Sequence, residues 1–260
     1  MRQLLIIVFL TVNFICFANK KKAPWGLTGH RVVGEIAYNH MTKKAKRNLK
    51  KLLGDEGLAM ISTYADDIKS DKKYKNFSYW HYVNFKDDES YETSEKNPKG
   101  DLIFAIKECK RIISDPKSSK ENKVFYLKLL VHFIGDLHQP LHVGRAEDRG
   151  GNSIDVTWFR ANTNLHSVWD TKMIESFNMT YTELASNLNK FSREQKIKIQ
   201  QGSFMDWAYE SRDLAMKVYG SVKDKNKLSY RYMYDYFPIV KVQLQKAGLR
   251  LARVLNDILG

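Results

Sequence analysis

Cysteine is nearly absent from this 260-residue sequence, which contains only Cys16 and Cys109. Cys16 lies in an apolar run over residues 4–18 that follows Arg2 and ends in a small residue, as a secretory signal peptide does. We predict that residues 1–18 are removed, which leaves Cys109 as the only cysteine and excludes an internal disulfide. The mature chain must therefore be stabilised by core burial and, if its folded state binds one, by a metal ion.

Long apolar runs are also lacking. After residue 18 no stretch is both long and apolar enough to cross a bilayer, and the N-terminal run is shorter than the roughly 20 residues of a membrane helix. The residues before Cys16 lack the small side chains of a bacterial lipoprotein cleavage site, so no lipid anchor is expected. We predict a secreted or periplasmic protein with its mature domain over residues 25–260, preceded by a signal peptide whose processing can extend to residue 24.

Acidic residues are too few to balance the basic ones. The chain has 29 Asp and Glu against 43 Lys and Arg, which gives a formal net charge of +14. An excess of this size favours a polyanionic partner, such as nucleic acid or an anionic surface, through long-range attraction and counterion release. Solubility is the alternative that charge alone leaves open.

Internal repeats and long linkers rich in Pro, Gly or Ser are absent, so a single domain is the simplest organisation. Apolar residues at helical spacing predict a mainly α fold. Residues 153–159 alternate apolar and polar side chains after two glycines and predict one strand of a small β-hairpin, whereas residues 83–99 predict a surface loop. The predicted helices cover residues 28–53, 100–114, 121–137, 166–176, 180–189, about 193–219 and 235–258.

Histidine is concentrated in one part of the chain. His132 and Asp136 are four residues apart, so on a helix they project from one face and can share a metal ion. The apolar stripe of that helix, which includes Val131, lies beside the pair and predicts that the pair sits at the margin of the core. Pro140 should end or kink the helix, which turns His142 back toward the same cavity.

A second His/Asp pair repeats this spacing at His166 and Asp170. One such pair is more often a buried histidine held by a carboxylate, but two pairs together favour a metal site. Imidazole and carboxylate ligands without a thiolate fit zinc in a hydrolytic site that keeps one position open for water. Iron and manganese bind similar ligands and remain alternatives.

Six motifs in a fixed order resemble the zinc-dependent single-strand nucleases of the S1/P1 family. They are WGLTGH at 25–30, YAD at 64–66, WHYVNF at 80–85, HFIGDLHQPLH at 132–142, DRGGN at 148–152 and NLHSVWD at 164–170. The resemblance implies an all-α fold of the phospholipase C/nuclease P1 type. It also implies hydrolysis of single-stranded DNA and RNA to 5′-nucleotides, a 3′-nucleotidase activity and a cluster of three zinc ions.

The resemblance also implies a ligand set. Taken singly, Trp25, Asp66 and His81 each have an ordinary structural explanation, as a core residue, a helix cap and a packed aromatic. Trp25 binds zinc in the family through its free amino nitrogen and its carbonyl oxygen, which requires it to be the first mature residue. The three implied sites comprise Asp66, His81, His132 and Asp136; then Asp136, His30 and Trp25; and finally His142, His166 and Asp170.

Further residues are implied to contact the substrate. Lys69 matches a cation that the family places against the substrate phosphate, and Tyr82 matches an aromatic residue on which a base stacks. Asn84 stands where some members carry an aspartate, and we predict that it acts in catalysis with Asp66 and Lys69. Asn152, in the DRGGN motif, is predicted to bind substrate. The remaining histidines, His40 and His138, match no ligand; His40 is predicted to be exposed, and His138 to be either a residue that supports a metal ligand or a structural residue.

Two other functions are compatible with parts of this pattern. Zinc-dependent phospholipases C share the fold and an N-terminal tryptophan ligand, but they carry glutamate where this chain has Asp170. A non-catalytic, zinc-stabilised protein that binds nucleic acid is the second alternative. The HQPLHVG and GGN motifs and the basic charge favour the nuclease. We expect a monomer without a stable protein partner.

Overall fold

The computed structural model describes residues 26–223 and 226–260. The predicted signal peptide, the residues up to 24 and Trp25 lie outside the described residues. Within the described part of the chain, no helix is both long and apolar enough to cross a membrane.

Helices account for most of the described residues, which confirms the predicted fold class. In chain order they are α1 Leu27–His40, α2 Lys43–Leu53, α3 Leu58–Ile61, α4 Tyr64–Asp67, α5 Leu102–Ser114, α6 Lys120–Leu137, α7 Leu165–Ser167, α8 Met173–Ser176, α9 Tyr181–Ser186, α10 Arg193–Gln200, α11 Phe204–Gly220 and α12 Tyr230–Leu259. Shorter segments are 3₁₀-helical at Ile68–Ser70, Lys72–His81 and Pro140–Val143, and π-helical at Val168–Lys172.

Two predicted helices are each divided in two by a polar cap. The predicted helix over 28–53 breaks before α2, where the side chain of Thr42 accepts a hydrogen bond from the backbone N–H of Ala45. The predicted helix over 193–219 breaks before α11, where Ser203 and Asp206 form a capping box. Apolar spacing continues across both breaks, so periodicity alone did not reveal them. Each new helix begins where a side-chain hydroxyl accepts a hydrogen bond from a backbone N–H of the first turn.

The sheet is small and contains the predicted hairpin. Strand β1, Asp155–Trp158, pairs antiparallel with β2, Ala161–Asn164. Phe159 and Arg160 join the strands with φ of 46° and 74°, which are the left-handed values of a two-residue hairpin turn. A third strand, β3 at Lys227–Leu228, pairs parallel with β1; it was not predicted because two residues carry no detectable alternation.

Helix α6 lies at the centre of the fold, and this position corrects one prediction. Helices α1 to α5 and α12 pack around it. Every residue from 129 to 137 is buried, and both His132 and Asp136 have no exposed surface. The His/Asp pair therefore lies inside the core and not at its margin, because other helices cover the polar face of α6 as well as the apolar one.

The C-terminal helix α12 is the main packing partner of α1. It begins five residues earlier than predicted and continues through Pro238. Its apolar stripe, Leu244, Ala247, Leu251 and Leu255, is fully buried. The short helices between residues 58 and 81 were not predicted, since segments of this length show too few turns to establish a period.

Candidate metal centre

Four side chains from three parts of the chain converge on one point in the core. His81 Nδ1 lies 3.0 Å from Asp136 Oδ2 and 3.1 Å from His132 Nε2, and the latter two atoms are 3.2 Å apart. Asp66 Oδ1 completes the group at 3.7 Å from both histidine nitrogens. Tetrahedral zinc with bonds of about 2.0–2.2 Å requires ligand atoms roughly 3.3–3.6 Å apart. The distances here, from 3.0 to 3.7 Å, lie on either side of that range, so shifts of a few tenths of an ångström would produce the tetrahedral spacing.

Asp136 faces two groups of histidines at once. Its Oδ2 atom points toward His81 and His132, whereas its Oδ1 atom lies 3.4 Å from His30 Nε2 and 3.1 Å from His142 Nδ1. A carboxylate placed in this way can bridge two cations. His30 approaches α6 at Gly135, where any Cβ atom would come within 2.8 Å of His30 Nδ1.

A third group lies on the far side of His142. Asp170 Oδ1 is 3.4 Å from His142 Nε2, and Asp170 Oδ2 is 3.9 Å from His166 Nε2. The rings of His142 and His166 stack with centroids 5.1 Å apart. Asp170 belongs to the π-helical turn Val168–Lys172, and turns of this kind frequently occur at functional sites.

Backbone carbonyls orient three of the histidines. The Nδ1 atoms of His132, His142 and His166 donate to the carbonyl oxygens of Ser62, His81 and Gly150 at 2.7, 2.8 and 2.8 Å. Gly150 has a φ of +64°, which aims its carbonyl toward the His166 ring. When the ring is neutral, donation from Nδ1 leaves Nε2 unprotonated, which is the form that binds a metal ion.

Several buried polar atoms of these groups have no hydrogen-bond partner within the described residues. They include Asp66 Oδ2, Asp136 Oδ1, His142 Nε2 and Asp170 Oδ2. Each unsatisfied atom of this kind costs about 1–3 kcal/mol, or more where the group is charged. Divalent cations would satisfy all four, and the nitrogen and oxygen donors suit zinc. The residues present therefore fit a zinc cluster.

The protonation states of Asp136 and His81 suit metal binding. Burial opposes ionisation of Asp136, but His132 and His142 outweigh burial and hold the pKa of the carboxyl well below its usual value. Burial, with Lys69 nearby, lowers the pKa of His81 to about 3. At neutral pH the centre therefore contains the ionised Asp136 carboxylate beside the neutral His81 imidazole, which are the forms that coordinate cations.

An open cavity of about 540 Å³ borders the buried groups. His81, His142 and His166 form part of its wall, so a ligand in the cavity contacts the same residues as a metal ion would. The four predicted substrate and catalytic residues outside the metal groups also line it, namely Lys69, Tyr82, Asn84 and Asn152.

The S1/P1 Nuclease family model matches residues 25–260. This chain belongs to the S1/P1 nuclease family. Similar proteins include Endonuclease 4 of Arabidopsis thaliana, 34% identical over 90% of this chain and 89% of its own length. Nuclease S1 of Aspergillus oryzae is 29% identical over 90% of this chain and 91% of its own length, and Nuclease P1 of Penicillium citrinum is 28% identical over 91% and 98%. The family resemblance and the enzyme class, a phosphodiester hydrolase, are thereby confirmed.

The cavity-lining residues of this S1/P1 nuclease are already engaged in part. Lys69 Nζ donates to Asp66 Oδ1 at 2.7 Å, so the cation lies beside the predicted metal ligands. Asn84 Oδ1 accepts a hydrogen bond from the backbone N–H of Gly144, and Asn152 Nδ2 donates to the carbonyl oxygen of Arg149. Tyr82 keeps 38% of its surface exposed.

Three residues of the nuclease site were missed from the sequence. Gln139 Nε2 donates to Asp170 Oδ1 at 3.1 Å and so orients a predicted ligand. Arg149 and Ser78 line the cavity. Gln139 was detectable as the polar residue inside HQPLH, and Arg149 as the basic residue inside DRGGN, but nothing in the sequence distinguished Ser78 from other surface serines.

The two remaining histidines of the nuclease lie where they were predicted. His40 is exposed, and its Nδ1 donates to the carbonyl oxygen of Ile36. His138 is fully buried, donates from Nδ1 to the carbonyl oxygen of Ile134, and accepts from Arg250 at Nε2. Burial and the nearby Arg250 guanidinium hold the pKa of His138 well below its usual value, so this ring is a neutral structural residue.

Proposed function

We propose that this member of the S1/P1 family is a secreted zinc-dependent endonuclease that hydrolyses single-stranded DNA and RNA to 5′-nucleotides. A 3′-nucleotidase activity on mononucleotides belongs to the same proposal. The observation that carries it is the position of Asp136, whose two oxygens face two groups of histidines beside an open cavity. Secretion rests on the N-terminal apolar run and its similarity to a signal peptide.

Three zinc ions are proposed, and bound zinc supplies a Lewis acid and an activated water at neutral pH. In this proposal Asp136 holds two ions in common, and Trp25 contributes its amino nitrogen once processing has exposed it. Gln139 keeps the Asp170 carboxylate in place through its amide. The proposed ligands are Asp66, His81, His132 and Asp136 for one ion, Trp25, His30 and Asp136 for the second, and His142, His166 and Asp170 for the third.

Residues of the cavity are proposed to hold the substrate. Lys69 supplies a positive charge next to Asp66, where it neutralises a phosphate oxygen, while Asp66 orients the attacking water. Because Asn84 uses its Oδ1 for the Gly144 N–H, its Nδ2 is the group available to donate to the phosphate. Asn152 uses its Nδ2 for the Arg149 carbonyl, which leaves its Oδ1 for the substrate.

Tyr82 is the proposed source of the preference for single strands. A base that stacks on its half-exposed ring must first leave its own stack, and a duplex resists this by a few kcal/mol. An unpaired strand does not pay this cost. Every base has a π face, so stacking on Tyr82 tolerates all sequences.

The Asp136→Asn variant tests the proposal. Loss of the shared carboxylate should remove zinc, measured by plasma mass spectrometry, and reduce hydrolysis of single-stranded DNA by at least about 100-fold, since even residues that only support a ligand cost 10–100-fold. Asp67→Asn changes an exposed neighbouring carboxylate and should leave both quantities unchanged. Full zinc content with unchanged turnover in Asp136→Asn would overturn the proposal. Mass spectrometry of the mature N-terminus tests whether Trp25 is exposed.

A further inference from the structure

Helix α2 carries an unusual concentration of positive charge. Its eleven residues include six cations and no acidic residue. At about 100° per residue, all six fall within an arc of about 160°. The opposite face carries Ala45, Leu49 and Leu53, which are buried in the core. We call the polar side of this helix the α2 cationic face; it comprises Lys43, Lys44, Lys46, Arg47, Lys50 and Lys51.

The N-terminal part of this arrangement works against the stability of the helix, whereas Lys50 and Lys51 in the last turn complement the helix dipole. Lys43 and Lys44 lie in its first turn, where the helix dipole disfavours positive charge. Lys43, Arg47 and Lys51 follow one another at spacings of four residues, and like charges at that spacing repel. Within the described residues only Lys50 of this face forms an ion pair, with Asp55 at 3.2 Å. A charge pattern that is locally unfavourable and uncompensated indicates a role in binding.

A second cavity adjoins this face and is separate from the metal centre. It measures about 690 Å³ and lies between the C-terminal half of α1 and the segment from α2 to α3. None of its lining residues lines the cavity beside the metal ligands. Tyr38 and Met60 contribute exposed apolar surface, 42% and 69%, and Lys46 Nζ lies 4.3 Å from the Tyr38 ring centroid.

Three acidic residues line this second cavity and balance the three cations that line it, so the positive charge lies on the helix face beside the cavity. Asp55 pairs with Lys50, and Glu56 pairs with Lys128 at 2.6 Å, while Glu35 accepts a hydrogen bond from Asn39. Lys43, Lys44 and Lys51 lie outside the cavity on the same face and form no ion pair within the described residues, so they are left to attract an anion. Cations along a groove with an exposed aromatic ring match the requirements of single-stranded nucleic acid, in which phosphates alternate with stacking bases.

We propose that the α2 cationic face and the second cavity form an auxiliary binding site for the distal part of a long single-stranded polynucleotide. The inference rests on the proposed nuclease function. Tyr38 follows His30 by eight residues on α1, about 12 Å along the helix axis. At about 3.4 Å per stacked nucleotide this distance corresponds to at least four nucleotides. Because His30 is buried and this distance runs inside the protein, four nucleotides is the minimum length for a strand that contacts both sites, and a dinucleotide bound at the metal centre is too short.

The test compares two substrates and two matched variants. One variant carries Lys43→Gln, Lys44→Gln, Arg47→Gln and Lys51→Gln; glutamine preserves helix propensity. The control carries Lys107→Gln, Arg111→Gln, Lys117→Gln and Lys120→Gln, which are also exposed and remove the same charge. At 50 mM salt, the first variant should raise KM for a 30-nucleotide single strand about 10-fold. The slope of log kcat/KM against log salt concentration should become shallower by about 0.7 for each phosphate contact that is lost. Its kcat/KM for a dinucleotide should not change.

Each alternative outcome has a distinct meaning. An equal effect of the control variant on the 30-mer, or an equal loss on the dinucleotide, overturns the auxiliary site. Unchanged kinetics with the 30-mer also overturns the auxiliary site. If the α2 variant then loses binding to phosphatidylserine vesicles, the α2 cationic face is assigned to a lipid surface. If the wild-type protein hydrolyses neither substrate, the proposed function fails. The auxiliary site is then decided by fluorescence anisotropy with the labelled 30-mer, where the α2 variant should still bind about 10-fold more weakly than the control.

Discussion

His142 donates a hydrogen bond from Nδ1 to the backbone carbonyl oxygen of His81, 2.8 Å away. These residues belong to different predicted zinc sites and are 61 positions apart in the chain. The backbone of one proposed ligand therefore sets the ring orientation of another, and the loop that leaves His81 is tied to the 3₁₀ turn that carries His142. Geometry at one metal position should consequently depend on the integrity of the next.

Replacement of Gln139 by leucine should weaken the site formed by His142, His166 and Asp170. The Gln139 amide orients Asp170 Oδ1, and loss of a supporting hydrogen bond typically lowers metal affinity by about 10–100-fold. Zinc affinity measured by competition with a chelator should show this loss for one ion only. Gln243→Leu removes another buried glutamine, which donates to the His138 carbonyl, and should reduce stability while leaving zinc affinity unchanged. Equal zinc affinities in both variants would contradict the supporting role of Gln139.

Replacement of Gly135 by alanine should displace His30. The added methyl group would come within 2.8 Å of His30 Nδ1, and overpacking of this kind costs about 1–3 kcal/mol of unfolding free energy. We expect lower thermal stability together with loss of zinc. In Gly34→Ala the added methyl group would instead meet the Leu58 carbonyl at 2.7 Å, away from the ligands. That variant should lose stability and keep its zinc, so loss of zinc in both would show a general folding defect.

Zinc binding should release a proton from His142 at pH 7. Burial alone lowers the pKa of His142, but Asp136 and Asp170 outweigh burial and raise it to about 10. Because coordination requires neutral imidazole, zinc must displace this proton, and affinity at this site should rise with pH. In the metal-free protein, the same raised pKa contributes stability that is complete below the unfolded value of about 6.5 and is lost as pH rises through about 10.

Calorimetry in two buffers with different ionisation enthalpies measures this proton release. The number of protons released at pH 7 should fall by about one in His142→Ala. His81→Ala should not reduce it, because the pKa of His81 is lowered to about 3 and its ring is already neutral. An unchanged count in His142→Ala would show that this histidine is neutral before zinc binds.

Removal of the Tyr82 ring should affect substrate binding more than turnover. Base stacking contributes about 1–3 kcal/mol per base, so Tyr82→Ala should raise KM for single-stranded DNA by about 5–150-fold. Tyr82→Phe retains the ring and should stay close to wild type. A comparable increase in KM for both variants would show that the hydroxyl group, and not stacking, carries the interaction.

The sequence by itself determined the helical class, the β-hairpin and the set of candidate ligands. These follow from local information: the period of apolar residues, the alternation at residues 153–159, and the spacing of His132 with Asp136 and of His166 with Asp170. The family motifs added Asp66 and His81, which no periodicity would have selected. The breaks before α2 and α11 escaped prediction because a single capping hydroxyl outweighs a continuing apolar pattern.

Only the tertiary structure decided how these ligands meet. Whether the two oxygens of Asp136 face different histidines depends on helices that are remote in sequence and pack on every side of α6. The carbonyl groups that orient His132, His142 and His166 come from residues 70, 61 and 16 positions away, and any backbone carbonyl could have served. The sequence therefore supplies the donors, while their distances, burial and pKa values arise from packing between distant segments.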